Sequence, residues 1–501
     1  MSKRHKIQTL PIVLMLFVVI SMEGCSKNKD ENTFNSGNEV PVIQLAVVGD
    51  IVEDADRVEE AINQIIEPEL AVRLQITYTS LASYSQDFKL MMSRDGGVDL
   101  VMILQPYMNE FINEGLLLDL KPYMQDFGHG IKNVPKEEGL EYAWVGEKLY
   151  GIPVQREWNS QAYVLMREDL LEQYNLDISQ IKTLADCDDV FSKIHENEPE
   201  LTVLGGTSGI ALTEKFCNWD LLADGMGVID LSDNNPEVRN MYETDSFLEL
   251  TRVLYDFHEK GYIKGDISVT ADSEQEQMQA GVIFAYLASG SHDLSVEHSN
   301  RCGRELIAVP VGGYNDYATT TNAMFSFWGI SANTQNPRLA LQVLNYIYES
   351  VEVCNLFNWG IENLHYQLTN KENIITSPEG RTGGSTFHFN QSWMFPNGFE
   401  IYQWEGENFS KEAREENNRN LKKSVAFGFF YDSSSVSQSL SECQRVVEYY
   451  KSTLCYGLVN PDVILPEMNR NLEQAGLQQI MDEKQSQLDQ WLLKQEDVYE
   501  Q

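Results

Sequence analysis

The sequence predicts an α/β fold of two lobes, each a mostly parallel sheet flanked by helices. Three observations carry this reading: a β-α-β-α-β pattern over residues 42–104, a break at Tyr150-Gly-Ile-Pro153 followed by a second α/β region, and a length of 501 residues. A chain of that length exceeds what one hydrophobic core usually supports. Parallel strands joined by helices need right-handed crossovers, which put helices on both sheet faces.

The first strand is Val42–Val48, closed by Gly49-Asp50. Val58, Ile62, Ile65 and Ile66 then share one stripe of a helix over 56–66, and Pro68 is expected to stop it. Residues Val72–Tyr78 alternate as a strand, 83–93 read as a helix, and Asp99–Leu104 reads as a fully buried strand. The second region starts near Trp158. It holds a helix over 184–195, a strand at 201–204, a helix over 247–260, and strands at 282–287 and 306–309. A strand at 325–330, a helix over 338–348 and a charged helical tail over 465–495 complete the pattern.

Lys plus Arg number 37 against 76 Asp plus Glu, a formal charge of −39. Such a surface repels phosphate backbones, so nucleic acid is not a partner, and the acidic balance reads as a solubility coat. Seven cysteines show no CxxC pair and no zinc-ligand spacing, so no metal is assigned. Cys187, Cys217, Cys302, Cys354, Cys443 and Cys455 are open to pairing or to remaining buried thiols.

Lys3, Arg4 and Lys6 precede an apolar run over 10–20, too short to span a bilayer and of signal-peptide length. The ending Met22-Glu23-Gly24-Cys25 resembles a bacterial lipobox, which implies cleavage before Cys25 and lipid on its thiol; Glu23 departs from the usual small residue. Residues 1–24 are therefore a signal peptide and the polar stretch 25–41 a tether.

Several segments together resemble the extracellular solute-binding proteins of ABC importers. Glu147–Pro153 resembles the family's crossover between lobes; Tyr163–Leu170, Gln173–Asp177 and Lys182-Thr183-Leu184 resemble its strand–helix signature; Met278–Gly281 precedes its glycine-led strand. Trp359-Gly360-Ile361-Glu362 with His365-Tyr366, Trp393-Met394-Phe395 with Asn397, Phe427–Asp432 and Leu472–Gly476 with Gln485–Trp491 are similar to an LplA-like Gram-positive lipoprotein subfamily with a C-terminal domain of unknown function. Pro396 stands where that pattern has glycine.

The resemblance implies a type II periplasmic-binding-protein-like fold whose lobes close by a hinge around a solute. It places lobe 1 at 42–154 with about 306–350, lobe 2 at 155–305 with about 351–430, and a helical segment at 431–501. It further implies a lipid-anchored monomer on the outer face of a bacterial membrane, delivering a small solute, a carbohydrate by preference, to permease subunits. A peptide-binding or sensing lipoprotein and a surface glycoside hydrolase are the alternatives. No GxSxG, HExxH or phosphate-loop motif is present, and Gly205–Gly209 lacks the lysine of a phosphate cradle, so no catalytic residue and no cofactor is assigned.

A sugar site needs aromatic platforms with carboxylate, amide and guanidinium groups beside them. Gln155, Arg156, Glu157, Trp158 and Asn159 supply that mixture at the expected crossover. Further candidates are Asp50 after the first strand, the pair Trp219-Asp220, and Tyr286 toward the carboxyl end of an apolar strand. Trp328, Trp359, Glu362 and Trp393 complete the set. For Asp50 a helix cap, and for each aromatic core packing, is the competing role.

Overall fold

The computed structural model describes residues 40–499 except 50, 125–130, 132–139, 146, 206–215, 217, 265–272, 313–315, 380–386, 388–393 and 408–409. The signal peptide 1–24, Cys25 with the tether to residue 39, Asp50, Trp393 and the glycine-rich stretch from Gly206 lie outside the described residues. Among the described residues no helix is long and apolar enough to cross a membrane.

The first sheet is built from β1 (Val42–Val48), β2 (Arg73–Thr79), β3 (Leu100–Leu104), β4 (Ile152–Pro153) and a strand that arrives much later, β11 (Ser326–Ile330). Its order is β2-β1-β3-β11-β4. β3 is buried along its whole length because it sits between β1 and β11 with helices over both faces. Helix α1 (Ala55–Leu70) lays Ala55, Val58, Ile62 and Ile66 on this sheet. Its one buried polar residue, Asn63, is satisfied by the backbone of Leu74: the amide donates to the carbonyl (2.9 Å) and accepts from the N–H (2.6 Å).

Pro68 does not end α1. The proline lies in the last turn, where it removes a single hydrogen bond, and the helix closes at left-handed Ala71, whose N–H reaches the Glu67 carbonyl. Helices α2 (Tyr84–Met92) and α3 (Gln105–Asn113) complete the unit with Phe88 and Phe111 in the core.

The second sheet runs β10-β5-β9-β6, from β5 (Gln161–Arg167), β6 (Thr202–Gly205), β9 (Ile283–Gly290) and β10 (Leu306–Gly312). Between β6 and β9 lie the short pair β7 (Trp219–Asp220) and β8 (Ile229–Asp230), and the longer helices of this region are α4 (Asp188–Asn197), α5 (Asp245–Glu259), α6 (Glu274–Ala280) and α7 (Ser295–Cys302). Each large sheet is mostly parallel with one reversed strand, β11 in the first and β5 in the second. Both reversed strands are the ones the chain enters on crossing from the other lobe. The parallel strands end at the cleft; a chain arriving from across the cleft starts there and must run the opposite way. The registers agree: Gln161 at the start of β5 faces Gly290 at the end of β9, and Ser326 at the start of β11 faces Leu104 at the end of β3.

Two large cores correspond to the two lobes, and they redraw the expected partition. Residues 306–312 belong to the second sheet, not to lobe 1, because β10 pairs with β5 over Leu306–Gly312. Helices α8 (Pro337–Glu349) and α9 (Val351–Trp359) both pack on the first core, so the chain does not return to lobe 2 at 351. The C-terminal helices α11 (Ser437–Cys455), α12 (Pro461–Ala475) and α13 (Leu477–Tyr499) bury Val447, Leu454, Leu465, Met468, Leu472 and Ile480 in the second core. The chain crosses between cores at 154–160, between β10 and β11, and at 421–431. The second and third crossings pair in parallel, Tyr317-Ala318 with Lys422-Lys423. Cys187, Cys302, Cys354 and Cys443 are buried thiols without disulfides.

Candidate functional site

The first crossing is held from both sides, which turns a loop into a scaffold. Gln155 donates its N–H to Pro396 O (2.9 Å) and its carbonyl accepts from Gly398 N–H (2.7 Å), so Pro396 joins this pairing through its carbonyl. Helix α10 (Lys411–Asn420) supplies two asparagines. Asn418 accepts from Trp158 N–H (2.9 Å) and donates to Arg156 O (2.8 Å), and Asn417 donates to Asn159 Oδ1 (3.0 Å). Asn159 in turn donates to the carbonyl of Ser291 (3.2 Å), which follows the last residue of β9. Trp158 is buried against Phe427 of the third crossing, with ring centroids 5.5 Å apart.

A cavity of about 180 Å³ opens over this scaffold, between the end of β9, the crossing and the end of α9. Arg156, Glu157, His292, Asn358, Trp359, Tyr402, Glu407 and Arg414 are among its walls. An engineered cavity of roughly 150 Å³ accepts one six-membered ring, so this volume suits a single sugar ring. A groove of about 530 Å³ adjoins it and shares Ile401, Gln403 and Glu407.

The polar groups of the cavity are ordered by mutual charge. Glu157 meets His292 Nδ1 at 3.3 Å and Arg414 Nε at 3.6 Å. Burial alone would raise the Glu157 pKa, but the His292 hydrogen bond and the Arg414 charge hold it below the ordinary carboxylate range. For His292 burial pulls downward while Glu157 wins and raises it. Arg414 is itself pinned by donation to Gly398 O (2.6 Å) and lies 5.1 Å over the Phe399 ring. Glu297 is paired with Arg301 one helical turn on. Glu407 accepts from Trp404 N–H at 2.9 Å, yet burial, aided by the nearby Glu297 charge, pushes its pKa up to about 7.

The aromatic wall is equally fixed. Trp359 donates Nε1–H to Tyr402 O (3.0 Å) and packs against Trp404 at 5.5 Å. The turn after it is locked by His365, which is buried. Ile361 N–H donates to Nδ1 (2.8 Å), leaving Nε2 to carry the proton toward Asp54 Oδ2 (3.2 Å) at the start of α1. Gly360 has φ +79°, and a Cβ there would lie 2.3 Å from His365 Nδ1, so only glycine fits.

Of the sequence candidates, Arg156, Glu157 and Trp359 line this cavity. Gln155, Trp158 and Asn159 are buried beneath it as its support. Tyr286 is buried in mid-strand, bonded to His298 Nδ1 (2.7 Å), because β9 runs four residues beyond it to Gly290. Trp328 lies in the first core with its indole N–H on Met394 O (2.8 Å), and Trp219 and Asp220 lie buried in the second lobe. Glu362 is exposed in the turn after α9. None of these five faces the cavity.

His292, Asn358, Tyr402, Glu407 and Arg414 escaped the sequence reading. For His292 a signal existed, since it lies two residues past the end of an apolar strand, where α/β clefts collect ligands. A larger groove of about 640 Å³ lies between Asn240–Leu248 and α12. It is confined to the second lobe, and its one aromatic, Tyr242, is buried beneath it, so it offers no platform for a sugar face.

The model of the bacterial extracellular solute-binding protein family matches residues 56–351, more than half of the chain. The chain belongs to that family. A second model, a domain of unknown function (DUF3502), matches residues 425–493, the third crossing and the C-terminal helices. A carbohydrate ABC transporter substrate-binding protein of Streptococcus pneumoniae serotype 4 is 24% identical over 463 residues, covering 90% of this chain and 91% of that protein. Among solved structures, the N-glycan transport solute-binding protein NgtS of S. pneumoniae is similar with a TM-score of 0.79, at 23% identity, over 91% of this chain and 100% of that one. The S. pneumoniae ABC-transporter substrate-binding protein FusA, solved with kestose, gives 0.65 at 14% identity, over 90% and 100%. The two-lobe architecture is thus that of the solute-binding proteins, and capture of a solute outside the cell is this chain's function.

Proposed function

We propose that the solute is a carbohydrate, taken into the cavity beside Trp359 and delivered to the permease subunits of an ABC importer. The observation that carries this reading is the conjunction at one cavity of a braced indole, a charged Glu157–His292–Arg414 array and the hinge crossing that scaffolds them. Sugars present an apolar ring face and a rim of hydroxyls, and this wall has a partner for each. The similar proteins NgtS and FusA, solved with Man1GlcNAc and with kestose, support the same class.

Closing the lobes around a ring brings β9's end and α9's end together, so ligand stabilises the closed form by the contacts available only there. The chain does no chemistry on the solute. Lipid on Cys25 keeps it at the outer membrane face.

Isothermal titration of the purified protein with Man5GlcNAc, kestose and a control tripeptide tests the reading. Saturable binding of a saccharide, with a rise in melting temperature and loss of both in Trp359→Ala, is expected. Binding of the tripeptide alone would replace it with the peptide-binding alternative. Cys25→Ala should move the protein from the membrane fraction to the medium.

A further inference from the structure

Helix α9 carries two buried asparagines on its inner face, and they are treated differently. Asn355 is fully engaged: its amide donates to Val351 O and Glu400 O, both at 2.8 Å, and accepts from Tyr402 N–H at 2.7 Å. Asn358, nearly one turn on, is 1% exposed and lines the cavity, yet neither its Nδ2 nor its Oδ1 has a hydrogen-bond partner. A buried amide left unpaired is costly and rare in native proteins. The same cavity is lined by Arg156, whose side chain makes no hydrogen bond or ion pair among the described residues and lies in the field of Glu157.

We propose that Asn358 and Arg156 are the groups that grip the solute, and that Asn358 reads two adjacent hydroxyls of a pyranose ring. This rests on the carbohydrate reading above and narrows it. A primary amide presents one acceptor and one donor side by side in a plane. Neighbouring ring hydroxyls meet both, one donating to Oδ1 and the other accepting from Nδ2. A carboxylate offers acceptors only and would leave Oδ1 unpaired. The acetamido group of an N-acetyl sugar is a trans amide with its N–H and C=O on opposite edges, so it too satisfies one atom and not the other. Arg156, with a fork of donors, takes further oxygens of the solute.

The test is titration of native protein and Asn358→Ala with Man1GlcNAc and with its 2-, 3- and 4-deoxymannose analogues. Losing both bonds should weaken Man1GlcNAc binding by about 10- to 100-fold. In native protein two adjacent deoxy positions should each lose about tenfold, and in Asn358→Ala those penalties should vanish. Binding by Asn358→Ala within twofold of native, or deoxy penalties unchanged in it, overturns this inference and leaves the carbohydrate reading standing. If Asn358→Ala does not fold, the native profile decides: a flat response, or sensitivity only at non-adjacent hydroxyls, overturns it. Failure of native protein to bind Man1GlcNAc overturns this inference, and failure to bind Man1GlcNAc, Man5GlcNAc and kestose alike overturns the carbohydrate reading with it.

Discussion

In the first lobe the central strand Leu100–Leu104 is apolar throughout, Ile62, Phe88 and Phe111 close over it, and the buried carboxylate of Asp99 stays at its start, where it accepts from Gln44 N–H (2.9 Å). In the second lobe a lysine occupies the core. Lys484 of α13 is fully buried; its ammonium donates to Asp224 Oδ1 (2.6 Å), Met226 O (3.0 Å) and Gly227 O (3.2 Å) and lies 4.7 Å over the Tyr431 ring. Burial pulls its pKa down while Asp224 pulls back. Both lobes are secured by area removed from water, and the second adds a charged pin that a C-terminal helix drives into its core. The segment matched by the domain of unknown function is part of lobe 2's core, and lobe 2 depends on it.

That contrast is easiest to break at the pin. Lys484→Ala leaves Asp224 buried with no cation and should cost about 3–5 kcal/mol in urea denaturation. Pairing Lys484→Met with Asp224→Leu should recover most of that loss, because apolar groups of similar volume replace a buried ion pair at little cost. No recovery would mean that the site needs the charge itself.

The cavity between the lobes gives the next effect, through Glu407. Its pKa is near 7 in the folded chain against 4.5 unfolded, so its contribution is complete below pH 4.5 and is lost as pH rises through 7. A shift of that size corresponds to roughly 3 kcal/mol between pH 5 and 8. Glu407→Gln should flatten the fall in melting temperature over that range. Glu157 works in the opposite sense: its folded pKa is lowered, so its contribution is present above the unfolded value and lost as pH falls. Glu157→Gln should therefore weaken the fold at pH 6 more than at pH 3.

A smaller loss is expected where the first lobe meets the aromatic wall. Gly360→Ala places a Cβ against His365 in a left-handed backbone and should cost about 1–3 kcal/mol, read by denaturation. The smallest effect sharpens the contrast by control: Arg252→Ala breaks an exposed pair with Asp462 beside the second lobe's groove and should leave the melting temperature unchanged.

The first lobe was the more legible in sequence because each of its elements has a clean period. Val42–Val48 and the apolar run ending at Leu104 fall where strands form, and the stripe of Val58, Ile62 and Ile66 meets the sheet. The partition of the chain was not legible, since nothing in Leu306–Gly312 says that it pairs with Gln161–Arg167. The tail read as a charged helix, and one of its lysines is buried because its partner Asp224 is 260 residues away. At the cavity, Arg156, Glu157 and Trp359 stood out by composition, whereas Asn358 differs from Asn355 only in what its amide fails to meet. Such accounting exists only in three dimensions.

Hydrogen–deuterium exchange with and without Man5GlcNAc tests the placement of the solute between the lobes most directly. Protection is predicted at Ser291-His292, at residues 154–159 and at 398–407, on both sides of the cavity. Protection confined to Asn240–Leu248 and Pro461–Ala475, the larger groove of the second lobe, would contradict it.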